Sequence, residues 1–178
     1  KIPQLWCPDN GLRKSVSYKI ADSMTTVSLR LPQHGSTIVV FSGMPTQSSY
    51  NLPPEHTTVL KTIDGPWNVK FPVHSGAPSS TKFEKLISWT THSDSGIKYF
   101  SGTASYNKKI HIPADWLDDG KRLILDLGKV ADIAEVILNK QSIDILWKPP
   151  YSADVTNHLK AGNNELIVNI TNQWTNRM

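Results

Sequence analysis

The side chains able to do acid–base chemistry in this chain are eleven Asp, four Glu and six His. Two carboxyls facing one glycosidic bond can cleave it, one as acid and the other as base or nucleophile. Of the four Glu, Glu55 lies in a proline-rich stretch, while Glu135 and Glu165 lie on or beside alternating segments; Glu84 completes the set. Asp118-Asp119-Gly120 reads as a turn, from which adjacent carboxyls diverge. Asp94, in HSDSG at 92–96, is the best isolated candidate, and no spacing pairs it with a partner. No catalytic residue is therefore assigned. The histidines, at 34, 56, 74, 92, 111 and 158, lack the i, i+4 helical pair of a zinc hydrolase, and His92-x-Asp94 matches any polar loop. No GxSxG, P-loop or GxGxxG sequence occurs. An oxygen-lined structural calcium site is compatible with such a chain, but no acidic ladder points to one; no other metal and no cofactor is expected.

Aromatic residues carry more information. Trp89, Tyr99, Phe100, Tyr106, Trp147, Tyr151 and Trp174 all lie in the later two thirds of the chain. Trp147-Lys-Pro-Pro-Tyr151 is stiff, because two prolines fix backbone angles between two large rings. Rigid flat rings can stack on the apolar face of a sugar while nearby Asn and Asp bind its hydroxyls. They can equally be core packing, which is the expectation for Trp89 and Phe100.

The elements that must position these residues alternate with a period of two, which puts one set of side chains on the buried face of a sheet. Val16, Tyr18 and Ile20, then Val27, Leu29 and Leu31, predict a hairpin over 15–31 around Ala-Asp-Ser-Met, and Ser36–Phe41 a third strand. Residues 43–56, GMPTQSSYNLPPEH, carry three prolines and read as a linker, so 1–42 and 57–178 are taken as separate parts. Beyond it, strands are predicted at Thr57–Ile63, Trp67–Phe71, within Ile97–Ile112 (Phe100/Ala104/Tyr106, then Ile110/Ile112), and at Arg122–Leu127. Further ones are predicted across Ala134–Leu138, at Ile143–Trp147 and over Leu166–Ile170, with 73–82 a polar loop and Asn139-Lys140 a hairpin turn. Leu123, Leu125, Leu127, Val136, Leu138, Leu166, Val168 and Ile170 form the predicted core. Helix is expected only near 114–119 and over 154–161, where Asp154 offers a cap and Gly162 a stop. Many short strands at intervals of about ten residues favour an all-β sandwich over a parallel sheet.

A chain of 178 residues can bury a real core, and it has no apolar run long enough for a transmembrane helix. The net charge of +4 is spread over Arg13-Lys14, Lys108-Lys109 and Lys121-Arg122 rather than gathered on one element, which argues against nucleic-acid binding. Cys7 is alone, so burial rather than an internal disulfide must hold the fold. Starting at Lys1, the chain reads as a mature chain or an excised piece.

Residues 86–106, LISWTTHSDSGIKYFSGTASY, resemble a segment of large bacterial glycoside hydrolases of the α-L-rhamnosidase type. The likeness continues through LDLGKVADIAEVILNK (125–140), W-x-P-P-Y-x-x-D (147–154), LKAGNNELIVNITN (159–172) and W-x-N-R (174–177). This order is similar to the galactose-binding-domain-like jelly-roll sandwich of those enzymes. The resemblance implies a jelly roll over 57–178, with 1–42 as the β-rich end of a preceding domain. It also implies that catalytic carboxylates belong to a separate barrel domain, so the chain is expected to be a non-catalytic C-terminal region of a hydrolase. Its expected partners are carbohydrate, of the plant-polysaccharide type, and the catalytic domain of the same polypeptide, with no nucleic acid and no membrane; the expected location is periplasmic or extracellular. The candidate sugar-binding residues are Tyr99, Trp147, Tyr151, Asp154 and Asn172, with rings to stack and polar groups for hydroxyls. Asp154 and Asn172 have a competing reading as caps or ties of turns, with Arg177 as an ion-pair partner for Asp154. Two functions stay open: a carbohydrate-binding domain, if the rings lie on a wet surface, or a scaffold packed on the catalytic barrel, if they are sealed under loops.

Overall fold

A computed structural model describes residues 1–9, 11–32, 35–118, 120–130 and 132–174. The chain forms two compact units, Lys1–Leu60 and Lys61–Met178. Among the described residues no helix is long and apolar enough to cross a membrane.

The first unit holds two small antiparallel sheets. In one, β1 (Ile2–Trp6) lies between β2 (Arg13–Ser15) and β5 (Ile38–Ser42); in the other, β3 (Tyr18–Ala21) lies between β4 (Met24–Val27) and β6 (Ser49–Tyr50). The expected hairpin is β3–β4, closed at Ala21–Met24 by Asp22 and Ser23, both at positive φ as a tight two-residue turn requires. It ends earlier than the alternation suggests. Leu29 and Leu31 are exposed, because after Val27 the chain leaves the sheet toward Pro32 and no strand pairs with it. Ser49–Tyr50, inside the stretch expected to be a linker, pairs with β3, and the Tyr50 ring lies 6.2 Å from that of the buried Tyr18.

The second unit is built on a six-stranded antiparallel sheet in the order β12-β11-β14-β9-β7-β8. Its members are β7 (Trp67–Lys70), β8 (Ser80–Phe83), β9 (Thr103–Ile112), β11 (Ile133–Leu138), β12 (Gln141–Leu146) and β14 (Gly162–Thr171). A second, two-stranded sheet pairs β10 (Ile124–Asp126) with β13 (Ser152–Asp154). The fold is thus an all-β sandwich of antiparallel sheets, as the periodicity predicts. Inward-facing Ala104, Tyr106, Ile110 and Ile112 alternate with outward-facing Ser105, Asn107, Lys109 and His111 on β9. Leu166 and Val168 on β14, and Ala134, Val136 and Leu138 on β11, continue the same inward face. Leu123 is buried with them, whereas Leu125, Leu127 and Ile170 are half-buried at its margin. Trp89 and Phe100 join this core, with ring centroids 5.3 Å apart and both close to Phe71. Trp89 Nε1 donates to Tyr106 Oη at 2.5 Å, so both polar atoms are satisfied inside the core; burial nevertheless pushes the Tyr106 phenol up from its ordinary value.

Several expected elements differ. Residues 57–63 form no strand, and Val59 is almost fully exposed. The polar stretch 73–82 contributes β8, whose inward Phe83 packs against Tyr106. The helix expected over 154–161 is replaced by the end of β13 and a single turn at 156–158. Here Asp154 Oδ1 accepts from both Thr156 N and Thr156 Oγ1, a local closure that competes with helical hydrogen bonding. Among the described residues the helical turns are 3₁₀ turns at Trp89–Thr91 and at Ala114–Leu117, the latter within the expected 114–119, and α1 (Ser95–Lys98), which the periodicity does not predict.

Leu166 is 1% exposed at the centre of the sheet, and Leu125 lies at its margin. Leu166→Ala should cost about 2–5 kcal/mol; Leu125→Ala should cost clearly less, about 1–2 kcal/mol. Equilibrium denaturant melts of the two variants check the ranking.

Candidate functional site

The register of the large sheet fixes which candidate residues share a location. Thr103 of β9 pairs with Thr171 of β14, Thr171 with Ile133 of β11, and Ala134 of β11 with Leu146 of β12. The start of β9 and β11 and the finish of β14 and β12 therefore lie at one end of the sheet. Tyr99 precedes β9, Asn172 follows β14, and Trp147 and Tyr151 follow β12, so four of the five candidates gather there. Asp154, at the far end of β13, does not.

Exposure separates the rings. Tyr99 and Trp147 are each 57% exposed, whereas Tyr151 is 8% exposed, with its Oη donating to the Asp132 carbonyl at 3.1 Å. Tyr151 is a core ring with a polar tip tied to the loop before β11, not a surface ring. Lys98 Nζ lies 5.5 Å from the Tyr99 ring centroid and Lys148 Nζ lies 5.1 Å from that of Trp147. Each exposed ring thus has a cation over it, an attraction worth about 0.5–1 kcal/mol at an exposed site. Trp174, 79% exposed just past Asn172, is a third wet ring at this end. Its signal in the sequence is its place in W-x-N-R, two residues after the candidate Asn172.

Asn172 ties this end together. Its Oδ1 accepts from Gly102 N and its Nδ2 donates to the Phe100 carbonyl, both at 2.9 Å. Gly102 has φ +139°, and a Cβ there would meet the Phe100 ring at 3.2 Å, so the turn that carries Tyr99 requires glycine. Asp132 accepts from Gln173 N and Nε2, linking the β11 loop to the same segment. The turn that carries Tyr99 is consequently fixed by hydrogen bonds to the segment after β14.

The carboxylates considered for chemistry serve local structure. Asp94 caps α1, accepting from Ile97 N at 3.2 Å, and Asp94 N itself donates to His92 Nδ1, whose ring stacks on Phe83. His92 and Asp94 therefore form a turn. Glu135 accepts from Ser142 Oγ and Asn169 Nδ2 across the sheet. Asp154 holds the turn after β13 and accepts from Arg122 Nε at 3.1 Å. Its expected partner Arg177 lies outside the described residues. The Thr156 hydroxyl, helped by the Thr156 amide and Arg122, holds the Asp154 carboxyl below its ordinary value against the opposing effect of burial. A general acid needs the opposite shift. Among the described residues no three His, Cys, Asp or Glu side chains cluster as a metal would require.

Sandwich, sheet order and hydrogen-bonded end loops define a galactose-binding-domain-like β-sandwich. Residues 88–178 match the family described as glycosyl hydrolase 2 galactose-binding domain-like, and the chain belongs to that family. A rhamnosidase from Novosphingobium sp. PP1Y superposes with a TM-score of 0.91 and 34% identity over 99% of this chain, which spans 17% of that protein. A Formosa agariphila protein that carries the name of a β-glucuronidase is 47% identical over 116 residues, 65% of this chain and 10% of its own length. A β-glucuronidase from Ruminococcus gnavus shares the fold at a TM-score of 0.54 and 22% identity, over 68% of this chain and 23% of its own. The chain thus spans a small part of each relative.

Asp154 has a folded-state pKa below its unfolded one, so its stabilisation is present above the unfolded value of 3.8 and is lost as pH falls through the folded value. Asp154→Asn should lower Tm at pH 7, and the two proteins should converge near about pH 2. Thermal melts across that range check the sign.

Proposed function

We propose that this chain is a non-catalytic, carbohydrate-binding sandwich region of an α-L-rhamnosidase-type glycoside hydrolase, with the reaction performed elsewhere in a longer polypeptide. The observation that carries the reading is the likeness to the Novosphingobium rhamnosidase along 99% of the chain, which spans only 17% of that enzyme. The shorter match to the protein named as a β-glucuronidase makes a β-glucuronidase-type parent the neighbouring alternative. Tyr99 and Trp147 are the sugar-facing rings in this proposal; Asn172 holds the turn that carries Tyr99, Tyr151 is buried, and Asp154 lies away from this end. Tyr99 precedes β9 and Trp147 follows β12, strands three spacings apart, about 14 Å. That separation suits an oligosaccharide rather than one sugar ring. The substrate is a rhamnose- or galactose-containing polysaccharide of the plant type met outside the cytoplasm.

A scaffold role packed against a catalytic barrel is the second reading. It is favoured by the sealed Tyr151 and by the structural duties of Asn172 and Asp154.

Calorimetric titration with rhamnose- and galactose-containing oligosaccharides separates the two. Binding should be measurable, and Tyr99→Ala or Trp147→Ala, folded by circular dichroism, should each weaken it by about 2- to 13-fold, the loss of one stacked ring. No binding, or binding unchanged in both variants, would leave the scaffold role. Aryl-rhamnoside hydrolysis by this chain above the buffer blank, abolished by a single carboxylate substitution, would overturn the non-catalytic assignment.

A further inference from the structure

The outward face of the large sheet carries a charge pattern that neither the core nor the ring-bearing end explains. Its register can be read rung by rung. One rung runs Ser80–Lys70–Ser105–Asn169–Glu135 and the next Lys82–Asn68–Asn107–Ile167–Ile137, while Lys109 pairs with Glu165 beyond them. On the β8-β7-β9 side this face forms an open trough of about 580 Å³ whose lining includes Asn68, Lys70, Ser80, Lys82, Asn107 and Lys109. Lys108 and Glu165 are also in the lining. Four lysines thus stand against one glutamate. The Lys108 ammonium is already held by the carbonyls of Asp64 and Pro66. Lys70, Lys82 and Lys109 are exposed, and no ion pair holds them among the described residues.

Protection of a sheet edge accounts for one of these residues at most. Lysines often guard an edge strand against pairing with another chain, and Lys82 sits on the edge strand β8. Lys70 and Lys109 sit on the interior strands β7 and β9, where both edges are already paired. Three like charges on adjacent strands repel one another and weaken the sheet.

Spacing identifies the kind of ligand. Lys70 and Lys82 are diagonal neighbours, about 8 Å apart at the backbone. Lys82 and Lys109 are two strands and one rung apart, about 12 Å. These intervals are too wide for three ammoniums to grip one small anion, but they suit a chain that carries an anionic group at intervals. The trough's neutral groups are the amides of Asn68 and Asn107 and the hydroxyls of Ser80 and Thr81. Asn68 has no side-chain partner among the described residues, and Asn107 uses only its Nδ2, toward Ser105. Such groups bind sugar hydroxyls, and Glu165 can accept from another hydroxyl. Among the described residues no aromatic ring lines the trough to stack a nucleobase.

We infer that the Lys70/Lys82/Lys109 trough binds an anionic polysaccharide, its carboxylate or sulfate groups met by the ammoniums and its hydroxyls by Asn68 and Asn107. This site is separate from the Tyr99 and Trp147 end and does not depend on the sugar assigned there.

The test is affinity electrophoresis and calorimetry of the full chain with polygalacturonate, a sulfated galactan, neutral dextran and oligo(dT). The triple variant Lys70→Gln/Lys82→Gln/Lys109→Gln is compared with Lys19→Gln/Lys61→Gln/Lys129→Gln, which removes the same charge at exposed positions elsewhere. Circular dichroism confirms that both fold. The expected result is binding to one or both anionic polysaccharides, weakened about tenfold or more in the trough variant and much less in the control, and weakened by salt. Binding to polygalacturonate alone would assign carboxylate as the partner group, and binding to the sulfated polymer alone would assign sulfate. Tyr99→Ala should leave this binding unchanged, so failure at either site can be told from failure at the other. No binding to either anionic polysaccharide, equal loss in both triple variants, or equal affinity for oligo(dT) would overturn the assignment.

Discussion

Ten consecutive residues of β14 pair with ten of β9, from Gly162 with Ile112 to Thr171 with Thr103, and this ladder is the constraint on which the second unit depends. Each strand is long enough to bury one full face, so Ala104, Tyr106, Ile110 and Ile112 meet Leu166 and Val168 in a fixed register. A shift of one residue would send that whole set to solvent. With the register locked, β11 and β7 add on either side, and every loop is assigned to one end of the sheet or the other. At one end the buried Asn164 closes the ladder, its Oδ1 accepting from Lys160 N and Asn139 Nδ2 while its Nδ2 donates to the Lys160 carbonyl. At the other, Asn172 does the equivalent work for the turn that carries Tyr99.

Both surfaces proposed for binding follow from that ladder. The ring-bearing end exists because β9 and β11 start where β14 and β12 finish, which brings loops distant in sequence together. The lysine trough exists because the outward residues of β7, β8 and β9 fall on matching rungs. Neither surface contributes to the core, so side chains there can vary without loss of the fold. Exposed aromatic rings, and like charges gathered on adjacent strands, are the features at such positions whose presence calls for a functional explanation.

What was legible in the sequence was local. Alternation at 104–112, 134–138 and 166–170 gave the right inward faces, and Asn139-Lys140 gave a turn whose two residues both adopt positive φ. Features that depend on distant partners were not legible. Ser80–Phe83 looks like loop because it is short and polar, and it becomes a strand only through pairing with Trp67–Lys70. Residues 154–161 look helical until Asp154 is seen closing onto Thr156. Among the candidate site residues, chemistry alone could not separate Tyr99 and Trp147 from Tyr151. All three are rings in polar surroundings, and only the carbonyl of Asp132 shows that Tyr151 turns inward. The trough was invisible for the same reason: Lys70, Lys82 and Lys109 are scattered in sequence and meet only through cross-strand register.

The claim that the β9–β14 ladder organises the unit is tested most directly by native-state hydrogen exchange resolved by segment. Backbone amides within 103–112, 133–138 and 162–171 should be the last to exchange in the chain, and those three segments should open together as one cooperative unit. Exchange of 162–171 ahead of the outer strands, or independently of 103–112, would contradict the account.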